Sequence, residues 1–153
     1  IHFIGHLQSN KARKAVELFD RIDSVDSVRL AKRIDRLVTD PYPILLEVNT
    51  SGDSAKHGFA SEGALFSALD EIMHLEYLRI EGLMTLGPLG GSEAENRAAF
   101  AQLREIAQRA KTRFDLPHCN ELSMGMSGDF REAIAEGSTC VRIGTALFGR
   151  REG

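Results

Sequence analysis

Short runs of β-type residues alternate with longer amphipathic stretches about six times along this chain, and that order is the mark of repeated βα units around a parallel sheet. The strand candidates are residues 1–5, 22–26, 43–50, 79–84, 121–124 and 140–144. In the third, Ile44, Leu45, Leu46 and Val48 form the continuous apolar run expected of a strand covered on both faces. The stretches between them repeat with helical period. Ala12, Ala15, Val16 and Phe19 share one face behind Ser9 as a candidate cap; Leu30, Ala31, Ile34, Leu37 and Val38 do so after Ser27, and Leu65, Leu69, Ile72 and Met73 after Ser61. The longest helix is expected over residues 92–114, opened by the capping box Ser92-Glu93-Ala94-Glu95 and presenting Ala99, Leu103, Ile106, Ala107, Ala110 and Phe114. Ser127 is read as the cap of a short last helix that Gly137 ends.

No linker or low-complexity segment interrupts the units, so they form one domain. Two architectures accept them. A doubly wound sheet needs a reversal of strand order, and a complete (β/α)₈ barrel needs eight strands and typically about 250 residues, more than the 153 here. With 42% hydrophobic residues the chain can bury a core, and it holds no apolar run near the roughly 18 residues that a membrane helix requires. A net charge of -3 supplies no basic field for a nucleic-acid backbone, which turns attention to a small ligand. Cys119 and Cys140 have neither a CxxC spacing nor a histidine at metal-ligand spacing; they read as small buried residues of a reducing, cytoplasmic compartment, and no metal site is expected.

In either architecture the ligand lies beyond the carboxyl ends of the strands, where the last two junctions carry the strongest chemistry. They read Leu122-Ser123-Met124-Gly125-Met126-Ser127-Gly128-Asp129 and Val141-Arg142-Ile143-Gly144-Thr145. Gly144 lets backbone approach an anion, Thr145 adds a hydroxyl and an N–H, Ser123 a further donor, and Arg142 a fixed positive charge, a set suited to a phosphate dianion. Plainer roles compete with these. Gly125 and Gly144 also suit ordinary turns, Met84, Met124 and Met126 suit a barrel interior, and His2 and His6 suit local hydrogen bonds, since the sequence places no carboxylate beside them.

The strings HFIGHLQSNK at His2–Lys11, IDSVDS at Ile22–Ser27, LLEVNTS at Leu45–Ser51, EGLMTL at Glu81–Leu86, LSMGMSGDF at Leu122–Phe130 and GSTCVRIGTALFG at Gly137–Gly149 resemble the YggS/PROSC family of pyridoxal 5'-phosphate (PLP) homeostasis proteins. The resemblance runs from end to end. It implies a (β/α)₈ TIM barrel of the alanine racemase type, here incomplete with about six of eight βα units, residues 1–153 being the C-terminal part of a single PLP-binding barrel domain. It further implies that Ser123, Gly144 and Thr145 hold the PLP phosphate, with Arg142 beside the phosphate or ring and Met84 and Asn49 near the ring. PLP is the cofactor implied, PLP-dependent apoenzymes are candidate partners, and the protein is expected to be a monomer or weak dimer without catalytic residues.

The family's PLP lysine lies in a segment before the HFIG strand, and this chain opens at Ile1 in that strand. Of the five lysines present, Lys11, Lys14, Lys32 and Lys111 fall on expected helices, and Lys56 falls in a loop near the mouth, where a solvated role is expected. About 70–90 further N-terminal residues are therefore expected in the native protein. Two other functions compete with PLP homeostasis. A fold-type III PLP racemase or decarboxylase would need an additional β-domain supplying an acid or base, and only four residues follow Gly149. A sugar-phosphate enzyme would use the same cradle with paired carboxylates, yet Glu47 and Asp26 have no partner acid placed by sequence.

Overall fold

The computed structural model describes residues 1–149. Six strands, β1 (His2–Phe3), β2 (Arg21–Val25), β3 (Tyr42–Glu47), β4 (Leu78–Met84), β5 (Glu121–Met126) and β6 (Cys140–Arg142), pair in parallel and in chain order. An unreversed order excludes the doubly wound alternative and makes the sheet an open arc of βα barrel units. The first and last strands, β1 and β6, are not hydrogen-bonded to each other, yet Ile4 and residues of β6 line one groove, so the sheet curls between them.

The connecting helices are α1 (Ala12–Leu18), α2 (Val28–Asp35), α3 (Glu62–Ile72), α4 (Glu93–Phe114), α5 (Phe130–Ala135) and the short α6 (Thr145–Phe148), which the sequence pattern does not reveal. Three start as their sequences dictate. The hydroxyls of Ser27 and Ser61 accept the N–H groups of Leu30 and Ala64, and at α4 Ser92 and Glu95 satisfy each other's backbone N–H. Two expected caps are corrected. Ser9 lies inside a 3₁₀ turn (Ser9–Lys11), and α1 begins without a side-chain cap. Ser127 does not cap α5, whose N-cap is Asp129; the Asp129 carboxylate instead accepts the Met126 N–H at 2.6 Å. The expected third strand is also too long, because after Glu47 the chain bonds to Phe59 of its own loop.

Alternation along the strands divides the sheet into two faces. Ile22, Ile44, Leu46, Ile80, Leu83 and Met124 join the helices in one apolar core, so Met124 belongs there and not in the barrel interior. On the opposite, concave face lie Arg21, Asp23, Leu45, Glu47, Met84 and Ser123, all buried. Where β4 meets β5 the strands approach very closely: a β-carbon on Gly82 would stand 2.0 Å from the Glu121 carbonyl oxygen, so this position admits no side chain.

At the amino ends of the strands the concave face is closed by charge. Arg21 donates from Nε to Asp23 at 2.6 Å, from Nη2 to Glu121 at 2.7 Å and from Nη1 to Glu81 at 3.3 Å, while Arg79 donates to Glu81 at 2.6 Å. Burial opposes the Arg21 charge, but its bonds to Glu121 and Asp23 outweigh that and raise its pKa; the same bond from Arg21 holds Glu121 below the usual carboxylate range.

Candidate phosphate-binding site

At the carboxyl ends of the strands the polar groups are arranged differently. Arg142, ending β6, donates from Nη1 to the Ser123 hydroxyl at 2.6 Å and from Nη2 to the Thr85 carbonyl at 2.8 Å. Thr85 is itself fixed, its hydroxyl donating to the Val48 carbonyl at 2.7 Å and lying 2.9 Å from the Thr50 hydroxyl. Arg142 thus bridges β4, β5 and β6 with neutral partners. Burial pulls its pKa down, since a guanidinium loses hydration there without a hydrogen-bonded carboxylate to replace it.

Beyond Arg142 the chain turns into α6, and two backbone donors converge. The N–H groups of Gly144 and Ala146 both reach the Ser127 hydroxyl oxygen, each at 3.1 Å. Two amides aimed at one oxygen have the geometry of a backbone nest, and here the Ser127 hydroxyl oxygen occupies it. A β-carbon on Gly144 would meet no atom within 4 Å, so this side of the turn is open. It faces a groove of about 1040 Å³ whose lining includes Ile4, Met126, Ser127, Arg142, Gly144 and Thr145.

Of the six residues expected at the site, Ser123, Arg142, Gly144 and Thr145 gather here, with Ser123 beneath Arg142 and out of contact with solvent. Met84 is the register partner of Ser123 and lies beside it on the concave face, whereas Asn49 stands apart. Met84 is fully buried at the end of β4, and the Asn49 side chain is engaged in its own loop, donating to the Asp53 carbonyl at 2.7 Å and accepting from the Ser51 hydroxyl at 2.9 Å. Ser127 is the residue that the sequence reading misplaced: its hydroxyl faces a turn 17 residues away, a contact that only the curled sheet creates.

Neighbouring groups also differ from their expected surroundings. Lys56 is not simply solvated, because its Nζ donates to the Gly87 carbonyl at 2.6 Å. His2 and His6, which the sequence left without acids, stand 3.8 Å from Asp23 and 3.3 Å from Asp26. Glu47, the last residue of β3, is pushed up to about 7 by burial and then by the charge of Asp26, against the pull of Arg142. The fold therefore brings Glu47 and Asp26 within electrostatic reach of each other.

The model of the alanine racemase N-terminal domain matches residues 1–152. This chain belongs to that family. Within the family it is 44% identical over 153 residues to the pyridoxal phosphate homeostasis protein of Synechocystis sp., covering 98% of the chain and 69% of the relative. The structure of PipY from Synechococcus elongatus with PLP bound is 43% identical, with a TM-score of 0.87 over 97% of this chain and 69% of PipY. Alanine racemase from Clostridium difficile, at 15% identity and a TM-score of 0.74, shares the fold: six consecutive units of an alanine racemase type (β/α)₈ barrel. The chain spans 64% to 69% of the length of curated relatives such as those of Vibrio cholerae and Synechocystis.

Proposed function

We propose that this member of the alanine racemase N-terminal domain family binds PLP by its phosphate at the Ser127–Gly144–Ala146 turn and serves PLP homeostasis, without turnover, as the C-terminal part of one barrel domain. The observation that carries the reading is the convergence of the Gly144 and Ala146 N–H groups on a single oxygen, at the mouth of a barrel whose relative PipY is known with PLP bound. The residues fit the group. Backbone donors and the Thr145 hydroxyl suit the phosphate, the open side of Gly144 leaves room for it, and Arg142 supplies positive charge at the groove.

PLP supplies an aldehyde and an electron-withdrawing ring; this chain's residues bind and orient it. Arg142, locked by Ser123 and Thr85, presents its charge at a fixed place, and the buried Met84 and Leu45 beneath keep water from the concave face. The chemistry fits holding the cofactor for cytoplasmic apoenzymes that use it, by a monomer or weak dimer. Among the described residues no helix is long and apolar enough to cross a membrane.

The test is a PLP titration followed by absorbance, on the wild-type chain and on Gly144→Val. Valine adds bulk where the ligand enters and meets no protein atom through its β-carbon, so affinity is expected to fall at least about tenfold with the unfolding midpoint little changed. Equal affinity in the two proteins would remove the cradle from the proposal.

A further inference from the structure

Three loops leaving the successive strands β1, β2 and β3 bring two histidines and an aspartate together on the rim of the sheet. His6 follows β1, Asp26 follows β2, and His57 lies in the loop between β3 and α3. One ligating atom from each lies within 4.8 Å of the other two, and His6 Nδ1 is 3.3 Å from an Asp26 oxygen. The two imidazoles stack with centroids 3.7 Å apart and planes 8° from parallel. No sequence spacing announces this set, because its members are 20 and 31 residues apart.

The loop that carries His57 is built to hold its shape. Asn49 ties it across to the Asp53 carbonyl, the Asp53 carboxylate accepts the Ala55 N–H at 2.9 Å, and Lys56 anchors to the Gly87 carbonyl. Next to His57, Gly58 has φ +106°, and a β-carbon there would stand 2.8 Å from the Asn49 nitrogen, so the return of the loop onto β3 depends on glycine. His57 is thus positioned by a braced segment. Both histidines are exposed and Asp26 is half-buried, so solvent and ions have access.

We propose that His6, Asp26 and His57 bind one divalent transition-metal ion, with zinc the best match. Two imidazoles and one carboxylate are borderline nitrogen and oxygen donors of the kind zinc takes, and three protein ligands leave a position for water. Zinc bonds of about 2.0–2.1 Å require ligand atoms roughly 3.3 Å apart in a tetrahedron, and the present spacing is within 4.8 Å, so rotation of the exposed rings closes the set. Stacked rings hold their lone pairs in two parallel planes, so binding one ion requires one imidazole to turn out of the stack about its Cβ–Cγ bond. A bound ion would clip three βα loops together at the mouth.

The experiment uses the untagged full chain after chelator dialysis, titrated with zinc chloride and with cobalt chloride. Expected are one zinc per chain by elemental analysis after desalting, visible cobalt bands that zinc displaces, and at least a roughly tenfold loss of zinc affinity in each of His6→Ala, His57→Ala and Asp26→Asn. His118→Ala is the control and should retain full affinity. Far-ultraviolet circular dichroism of each variant shows that the fold is kept, as the exposure of both histidines implies, and Asp26→Asn preserves shape where alanine would not. Failure of the wild-type chain to bind zinc stoichiometrically, or wild-type affinity in either histidine variant, overturns the site. Neither result bears on PLP binding, which is read by absorbance in metal-free buffer.

Discussion

At the amino ends of the strands Arg21 is enclosed by Asp23, Glu81 and Glu121, whereas at the carboxyl ends Arg142 is hydrogen-bonded to a hydroxyl and a backbone carbonyl. Both cations sit on the concave face of the same sheet. The first is neutralised within the protein, and its potential is spent on holding β2, β4 and β5 in register. The second keeps its field directed toward the groove beside the Gly144 turn. A carboxylate next to Arg142 would stabilise the guanidinium more and attract an anion less. The contrast separates an end where the cation is paired with carboxylates from one where it is not, and the second is the end at which this architecture places its ligands.

The largest expected effect tests the closed end. Arg21→Met removes the cation from among three carboxylates and should cost about 3 kcal/mol, because Asp23 and Glu121 lose the guanidinium that both accept from. Urea unfolding measures it, and a loss below about 1 kcal/mol would mean that the network contributes little to the fold. The second prediction concerns Glu47 at the open end. Its folded-state pKa of about 7 lies above the ordinary unfolded value, so the native state binds more protons between roughly pH 4.5 and 7 and loses stability as pH rises through that window, by about 3 kcal/mol at most. Glu47→Gln should abolish this loss and be the more stable protein at pH 8. Glu121 acts in the opposite sense: its lowered pKa contributes stability that disappears as pH falls. Identical pH profiles for wild type and Glu47→Gln would contradict the burial argument.

Arg142→Gln comes next. It should weaken PLP binding by about 1.5–3 kcal/mol, the worth of a charge-assisted contact, while changing stability by under about 1 kcal/mol, since burial already disfavours the charge. A variant that lost stability and kept affinity would place Arg142 with Arg21 as a structural residue. The smallest effect belongs to Ser127→Ala, which removes the oxygen that occupies two backbone N–H groups and that a phosphate oxygen would displace, so PLP affinity should rise by up to about 1 kcal/mol, measured by the same titration.

The order of elements was legible in the chain because each carries a local signal. The run Ile44-Leu45-Leu46 is of a length that favours a strand covered on both faces over a helix, and Ser92 with Glu95 caps α4 through bonds among residues three apart. That Ser123, Arg142, Gly144 and Thr145 lie near one another was legible for a similar reason: they sit at or beside the ends of adjacent strands. Ser127 and Asn49 were not. Each hydroxyl or amide has several partners available in a loop, and the choice is made by what the fold brings near: for Ser127 the turn after β6, for Asn49 its own returning loop.

What the sequence by itself determined is therefore the alternation of strands and helices, the helix starts at Ser27, Ser61 and Ser92, and the chemistry of the last two junctions, since these depend on neighbours within a few residues. Only the tertiary structure decided the unreversed strand order, the division of charge between the two ends of the concave face, and the meetings of Arg21 with Glu121, Ser127 with Gly144, and His6 with Asp26 and His57. Those depend on strand register and on the curl of the sheet, which juxtapose residues up to 100 positions apart and leave no period or spacing in the chain to read.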